Sequence, residues 1–153
     1  MSLNQLNVLY KEVVLDHAQN PRNKRKILSS EKQLAMQNPT CGDYLNISIK
    51  TRQNAITEIS FDGWGCTISQ ASASMMTETL INKNIDDAIS IIYNFSKMIT
   101  GQKVDNSAVG ELGDASVLAT MAEFPTRIKC ATLAWHIIND LLKNEKGNVY
   151  GKC

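Results

Sequence analysis

The chain lacks any long apolar stretch. Its 153 residues contain no run near the ~18–20 consecutive apolar residues that a membrane-spanning helix needs, so we expect no membrane segment. The first residues do not show a basic stretch followed by an apolar one, the pattern of a secretory signal, and we therefore expect a cytoplasmic, reducing compartment. In that compartment the four cysteines are expected to be thiols or metal ligands rather than disulfides.

Excess charge and structure-breaking residues are also scarce. Lys and Arg number 16 against 15 Asp and Glu, and the net charge of +1 gives no overall electrostatic reason to bind nucleic acid. The 8 glycines and 3 prolines are too few for a collagen-like or low-complexity chain. The length suits a single domain over residues 1–153, with a loose tail from about residue 144.

The apolar pattern predicts a helix, a small sheet and then several helices. The predicted elements are a helix over 3–19, strands over 34–36, 44–50 and 56–61, helices over 67–81, 86–99, 113–123 and 127–143, and a loop over 101–110. Strands 44–50 and 56–61 alternate apolar and polar residues and are joined by a short polar turn, which is typical of an antiparallel hairpin. The order predicts an α+β fold with a small antiparallel β-sheet packed against several α-helices.

Two internal cysteines occur in segments that suit a reactive thiol or a ligand. Cys41 and Asp43 flank Gly42 in a turn or extended corner, where residues i and i+2 point to the same side. Cys66 follows a glycine where the predicted strand gives way to a helix, and the free N–H groups of a first helical turn stabilise a thiolate.

Cys130 follows Pro125 and is predicted to lie in the first turn or so of the last helix, the same setting as that of Cys66. Arg127 and Lys129 add positive charge nearby, which would also favour a thiolate. Cys130 belongs to the apolar stripe of its helix, so we expect its side chain to face inward.

We therefore hypothesise that Cys41, Asp43, Cys66 and Cys130 converge on one metal ion. Thiolate sulfur selects zinc or iron–sulfur chemistry over magnesium or calcium. Ordinary structural zinc sites use four cysteines or cysteine and histidine, often in CxxC pairs, and this chain has no CxxC. A carboxylate ligand indicates a site that can open and expose a reactive thiolate. The alternative, that each cysteine is simply a small apolar core residue, stays open at this point.

Several longer motifs follow one another through the chain. They are Asp16-His17 with Asn20-Pro21-Arg22-Asn23; Asn38-Pro39-Thr40-Cys41-Gly42-Asp43; Gly63-Trp64-Gly65-Cys66-Thr67-Ile68-Ser69 running into Ala71-Ser72-Ala73-Ser74-Met75-Met76-Thr77; and Phe124-Pro125-Thr126-Arg127-Ile128-Lys129-Cys130 with Leu133-Ala134-Trp135. Together they resemble the SufU branch of the IscU/NifU N-terminal family of iron–sulfur cluster assembly proteins. Lys129, where IscU-like scaffolds carry histidine, and the extra residues at about 101–113 indicate the SufU branch.

The resemblance implies a zinc-dependent acceptor and carrier of persulfide sulfur, similar to a sulfurtransferase. It implies Zn²⁺ on Cys41, Asp43, Cys66 and Cys130, with Cys41 receiving the sulfur, Asp43 tuning the lability of zinc and Arg127 supporting the thiolate pocket. It also implies docking to a SufS-type, PLP-dependent cysteine desulfurase and delivery of sulfur to downstream Suf cluster-assembly machinery.

Three alternatives remain at this point. The same cysteines could hold a transient [2Fe–2S] cluster or iron on a scaffold, the chain could be a non-catalytic zinc-stabilised binding module, or its cysteines could be unlinked core residues. Among the other residues, we expect His17 to be a hydrogen-bonded structural histidine and residues 22–26 to be a solvated connector that binds no nucleic acid. We expect Trp64 to contact a partner or to cover the site.

Overall fold

The computed structural model describes residues 3–39 and 42–147. Its elements, in chain order, are α1 (Leu3–Gln19), β1 (Gln33–Gln37), β2 (Tyr44–Arg52), β3 (Ala55–Trp64), α2 (Thr67–Leu80), α3 (Ile85–Ile99), α4 (Asn106–Leu112), a 3₁₀ helix (Gly113–Glu123) and α5 (Pro125–Gly147). The predicted α+β class is therefore confirmed. Among the described residues, none of the helices combines the length and the apolar character that crossing a bilayer demands.

The three strands form an antiparallel sheet in the order β1-β2-β3. Gln53 and Asn54 both adopt a positive φ in the β2–β3 turn, a conformation that asparagine tolerates better than most residues. The turn sets the register, so that Tyr44, the first residue of β2, pairs with Trp64, the last residue of β3. The start of β2 and the end of β3 therefore lie side by side.

One face of the sheet carries the core. Leu45, Ile47 and Ile49 alternate along β2 and are buried, and α2 and α5 pack against the sheet. On the helical side, the Phe95 and Trp135 rings stack with their centroids 3.9 Å apart. Burial of each large apolar side chain of this kind contributes roughly 1.5–3 kcal/mol.

Three predicted elements differ in detail from the structure. The predicted loop over 101–110 contains the start of α4, because the Asp105 side chain accepts the N–H of Ala108 at 2.9 Å and caps a helix there. Residues 113–123 are helical as predicted, but they form a 3₁₀ helix. Pro125 begins α5 at a position where a proline needs no N–H partner, so α5 starts two residues earlier than the predicted Arg127.

His17 is the structural histidine that the sequence predicted. Its ring is fully buried, Nδ1 lies 2.8 Å from Ser74 Oγ, and Nε2 donates to Asp114 Oδ2 at 2.9 Å. These two bonds join α1 to α2 and to the 3₁₀ helix. His17 therefore fixes the first helix against the body of the protein.

The predicted solvated connector between α1 and β1 is held by an ion pair. Arg25 donates to both carboxylate oxygens of Glu31, at 2.9 and 2.5 Å, and Glu31 also accepts the N–H of Leu28 at 2.7 Å. The Arg25 guanidinium, with the Leu28 N–H, lowers the pKa of Glu31 to about 2. This carboxylate therefore stays ionised far into acid.

We expect Glu31 to make folding stability sensitive to acid. The pKa of Glu31 is about 2 in the folded chain, against an ordinary value of 4.5, so its stabilising effect is present above pH 4.5 and is lost as the pH falls from 4.5 to 2. Urea midpoints measured from pH 7 to pH 2.5 should therefore fall more steeply in the wild type than in Glu31→Gln. Parallel curves for the two proteins would contradict this assignment.

Candidate metal centre

The β2–β3 register brings Asp43 and Cys66 together. Tyr44 pairs with Trp64, so Asp43, just before β2, lies across from Gly65, just after β3. The backbone N–H of Cys66 donates to Asp43 Oδ1 at 2.9 Å, and Cys66 Sγ lies 4.0 Å from Asp43 Oδ2. The Asp43 side chain is thus oriented by the strand pair, and the residue is only 1% exposed.

Gly65 makes this approach possible. A Cβ added to Gly65 would lie 2.6 Å from Asp43 Oδ1 and would also collide with the hydroxyl of Ser69. Any larger residue would therefore push the carboxylate or the helix start away. Glycine is needed at position 65 because there is no space for a Cβ beside Asp43 and Ser69, and not because the backbone is left-handed there.

Cys66 is the N-cap residue of α2. Its backbone is extended, with φ −72° and ψ 170°, and its sulfur accepts the N–H of Ser69 at 3.4 Å. This is the helix-start setting that the sequence predicted for Cys66. The Ser69 N–H therefore fixes the position of the Cys66 sulfur at the start of the helix.

The Cys130 side chain also lies beside Asp43 and Cys66, but Cys130 is inside a helix and not at its start. It is buried and is the sixth residue of α5, beyond the first turn, so the predicted helix-start position was wrong. The reason is the earlier start of α5 at Pro125. Even so, one ligand atom each from Asp43, Cys66 and Cys130 lie within 4.8 Å of one another.

The three side chains fit a tetrahedral zinc ion. Zn–S bonds of ≈ 2.3 Å and Zn–O bonds of ≈ 2.0–2.2 Å place ligand atoms about 3.5–3.8 Å apart. The separation of 4.0 Å between Cys66 Sγ and Asp43 Oδ2 is close to that value. Two sulfurs and one carboxylate oxygen are also the donor types that zinc accepts. Small side-chain rotations would complete the geometry.

Cys41, the predicted fourth ligand, lies outside the described residues. The chain on either side of it is closed by two backbone hydrogen bonds: Gly42 N–H donates to the Asn38 carbonyl at 2.8 Å, and Asn38 N–H donates to the Asp43 carbonyl at 2.7 Å. Gly42 has a φ of +77°, the left-handed region that favours glycine. Asn38, Gly42 and Asp43 are therefore held close together.

Arg127 and Trp64 lie on the surface near the centre. Arg127 is in the first turn of α5 and is exposed, and within the described ranges its guanidinium has no hydrogen-bond or ion-pair partner. Trp64 is 63% exposed, and its ring stacks on Tyr44 with the centroids 4.6 Å apart. An exposed, rigid aromatic pair of this kind beside two cysteines suits contact with a partner.

A second group, formed by His17, Glu78 and Asp114, also brings potential ligand atoms within 4.8 Å of one another. Both ring nitrogens of His17 already have hydrogen-bond partners. Arg22 Nε lies 3.8 Å from Glu78 Oε1 and supplies positive charge there. We therefore interpret this group as a structural network.

The chain matches a family model. The model described as NifU-like N terminal domain matches residues 9–131. An iron–sulfur cluster assembly scaffold protein IscU of Streptococcus pyogenes is 43% identical over 143 residues, covering 94% of this chain and 88% of the relative. A zinc-dependent sulfurtransferase SufU of Bacillus subtilis is 42% identical over 148 residues, covering 96% of this chain and 99% of the relative.

Solved structures agree with the fold. A crystal structure of a hypothetical protein has a TM-score of 0.82 and 43% identity, covering 90% of this chain and 98% of the other. A putative iron–sulfur cluster assembly scaffold protein for the SUF system from Fervidobacterium islandicum has a TM-score of 0.75 and 27% identity, with coverages of 90% and 98%.

Proposed function

The chain belongs to the NifU-like N-terminal domain family, and we propose that it serves iron–sulfur cluster assembly as a zinc-dependent acceptor and carrier of persulfide sulfur. The observation that supports this proposal most directly is the convergence of the Asp43 carboxylate with the sulfurs of Cys66 and Cys130. Two cysteines and a carboxylate, contributed by three distant parts of the chain, suit a centre that binds metal and handles sulfur.

We propose Cys41 as the fourth ligand and the sulfur acceptor. It stands two residues before Asp43 in the sequence, and backbone hydrogen bonds hold Asn38 to both Gly42 and Asp43. When bound, zinc would hold the thiols as thiolates and polarise them. Because Cys66 is fixed by a helix start and Cys130 by a buried helix face, we assign the role of sulfur acceptor to Cys41.

The sulfur step follows thiol–disulfide chemistry. The Cys41 thiolate attacks the outer sulfur of a persulfide on the donor protein, a new S–S bond forms on Cys41, and the donor's S–S bond breaks to leave a thiolate there. The proton of the persulfide stays on the transferred sulfur, so no external oxidant is needed. Asp43, held by the Cys66 N–H, would keep the centre ordered while Cys41 moves.

The donor that suits this step is a PLP-dependent cysteine desulfurase of the SufS type, and the recipient is the downstream Suf cluster-assembly machinery in the cytoplasm. The support is the Bacillus subtilis relative, which is named a zinc-dependent sulfurtransferase SufU and aligns over almost the full length of both chains. The Trp64–Tyr44 pair beside the centre offers the aromatic contact for the desulfurase.

A desulfurase assay tests the proposal. We expect the wild-type protein to raise the rate of sulfide release from cysteine by the desulfurase at least severalfold, and we expect Cys41→Ala to remove this increase. Cys153→Ala, which changes a cysteine outside the proposed centre, is the matched control and should behave as the wild type. The carrier role would be wrong if the wild type and Cys41→Ala gave the same rate.

A scaffold function is the second candidate, because the Streptococcus pyogenes relative is named a scaffold protein IscU and has similar identity. On this interpretation Cys41, Cys66 and Cys130 would hold a transient [2Fe–2S] cluster as cargo. Reconstitution with iron and sulfide distinguishes the two functions. Stable visible absorbance, followed by transfer to an apo acceptor, would favour the scaffold.

A further inference from the structure

A cleft lies beside the candidate centre, between α1, the start of α2, the 3₁₀ helix and the start of α5. Its volume is about 350 Å³. Its walls are largely apolar and are formed by Val14, Leu15, Ile68 and Met121. A concave cleft of this size lies at the lower end of the range for small-molecule sites, ≈ 300–1,000 Å³. The shape therefore suits a small molecule with an apolar body.

Two cations border this cleft. Lys11 of α1 and Arg127 of α5 both line it and are exposed. Neither side chain has a hydrogen-bond or ion-pair partner in the part of the chain that the structure describes. Positive charge of this kind, next to apolar walls, complements an anionic group on an apolar body.

The cleft and the centre share two elements. Thr67 lines the cleft and directly follows Cys66. Arg127 precedes Cys130 by three residues on α5, and side chains with this spacing are neighbours on a helix surface. The cleft is therefore formed in part by α5, which carries Cys130, and by the start of α2, which Cys66 caps.

We propose that this cleft binds a small thiol that carries a carboxylate and presents its sulfur to the centre. The carboxylate would lie between Lys11 and Arg127, and the carbon chain would contact the apolar walls. The small thiolate would then take the outer sulfur of a Cys41 persulfide: a new S–S bond forms on the small thiol, and Cys41 leaves as a thiolate. This transfer step rests on the proposed function, whereas the binding step does not.

Binding is tested first, on sulfur-free protein, with S-methyl-N-acetylcysteine as an unreactive probe. We expect saturable NMR shifts at the Ile68 and Met121 methyl groups, and we expect S-methyl-N-acetylcysteamine, which lacks only the carboxylate, to need a roughly fivefold higher concentration for the same shifts, since each exposed ion pair contributes about 0.2–1 kcal/mol. The double variant Lys11→Gln/Arg127→Gln should bind the two probes alike, and Lys143→Gln, which removes an exposed cation elsewhere, should keep the preference for the carboxylate. Equal shifts from both probes, or no shifts, would overturn the proposal.

Sulfur removal is tested next, with protein charged by the desulfurase. Per thiolate, N-acetylcysteine should take sulfur roughly fivefold faster than N-acetylcysteamine, since each exposed ion pair contributes about 0.2–1 kcal/mol. The double variant should abolish this preference. Equal rates for the two thiols in the wild type would overturn the transfer step. A protein that cannot be charged at all would contradict the proposed function, while the NMR result would still decide whether the cleft binds the carboxylate.

Discussion

Replacing Cys130 by alanine is expected to reduce bound zinc from about one ion per chain to almost none, because a tetrahedral site that loses a buried thiolate keeps too few protein ligands. The thermal midpoint should fall with it. A ligand present at 1,000 times its Kd stabilises the folded state by ≈ 4.1 kcal/mol, whereas loss of one small buried side chain costs only about 1 kcal/mol. Most of the fall in the thermal midpoint should therefore come from the loss of the metal and not from the loss of the side chain.

The measurement compares zinc content and thermal unfolding. Wild type treated with a chelator should unfold at nearly the temperature of untreated Cys130→Ala, and chelation should hardly change the variant. Cys153→Ala is the control and should retain full zinc. A Cys130→Ala protein that retained the zinc content of the wild type would show that Cys130 is not a zinc ligand. A chelated protein that unfolds entirely and shows no reactive thiol would instead favour a zinc-stabilised binding module.

Replacing Gly65 by alanine is expected to weaken zinc binding by about 10–100-fold, the usual effect of losing a group that orients a ligand. The added methyl group would lie 2.6 Å from Asp43 Oδ1 and 2.3 Å from Ser69 Oγ, so either the carboxylate or the start of α2, which Cys66 caps, must shift. No ligand is removed by this change, and its effect comes entirely from displacement. Gly110→Ala is the matched control, because a Cβ at Gly110 has nothing within 4 Å.

Competition with a chromophoric chelator gives the zinc affinity of both glycine variants. Gly110 lies in α4, where alanine is the better helix former, so Gly110→Ala should keep its zinc and unfold at or above the wild-type temperature. Asp43→Ala should resemble Gly65→Ala in its zinc affinity if the two act through the same carboxylate. An Asp43→Ala protein with wild-type affinity would show that Asp43 is not a ligand, and a Gly65→Ala protein with wild-type affinity would show that the added methyl group displaces neither ligand.

Local patterns predicted most of the fold. The helix over 3–19 and the hairpin were predicted because apolar periodicity and a polar turn are encoded within a few residues. The segment over 101–110 was predicted as a loop because its glycine, asparagine and serine outweighed the capping role of Asp105. Composition alone does not show that a single hydrogen bond, from the Ala108 N–H to the Asp105 side chain, is enough to start a helix here.

The centre could be predicted only in part. Cys66 was placed correctly because a strand-to-helix junction is a local feature. The pairing of Asp43 with Cys41 by alternation stays a prediction, because Cys41 lies outside the described residues. The convergence with Cys130 depends on how α5 packs against α2 and the sheet, which no local pattern encodes. A glycine directly before Cys66 suggests that another group approaches closely, but the identity of that group, the Asp43 carboxylate, appears only when the residue opposite Gly65 is known.

Gly63 has one consequence for the preparation of this protein. Its φ of +123° excludes most side chains, and a Cβ there would collide with the Tyr44 carbonyl, so the hairpin closes in the register that sets Asp43 beside Cys66. A hairpin slipped by one residue would turn Asp43 to the opposite side of the sheet. Misfolded molecules in a purified batch would then emerge without metal, and the ratio of zinc to protein would serve as a quality assay for each batch.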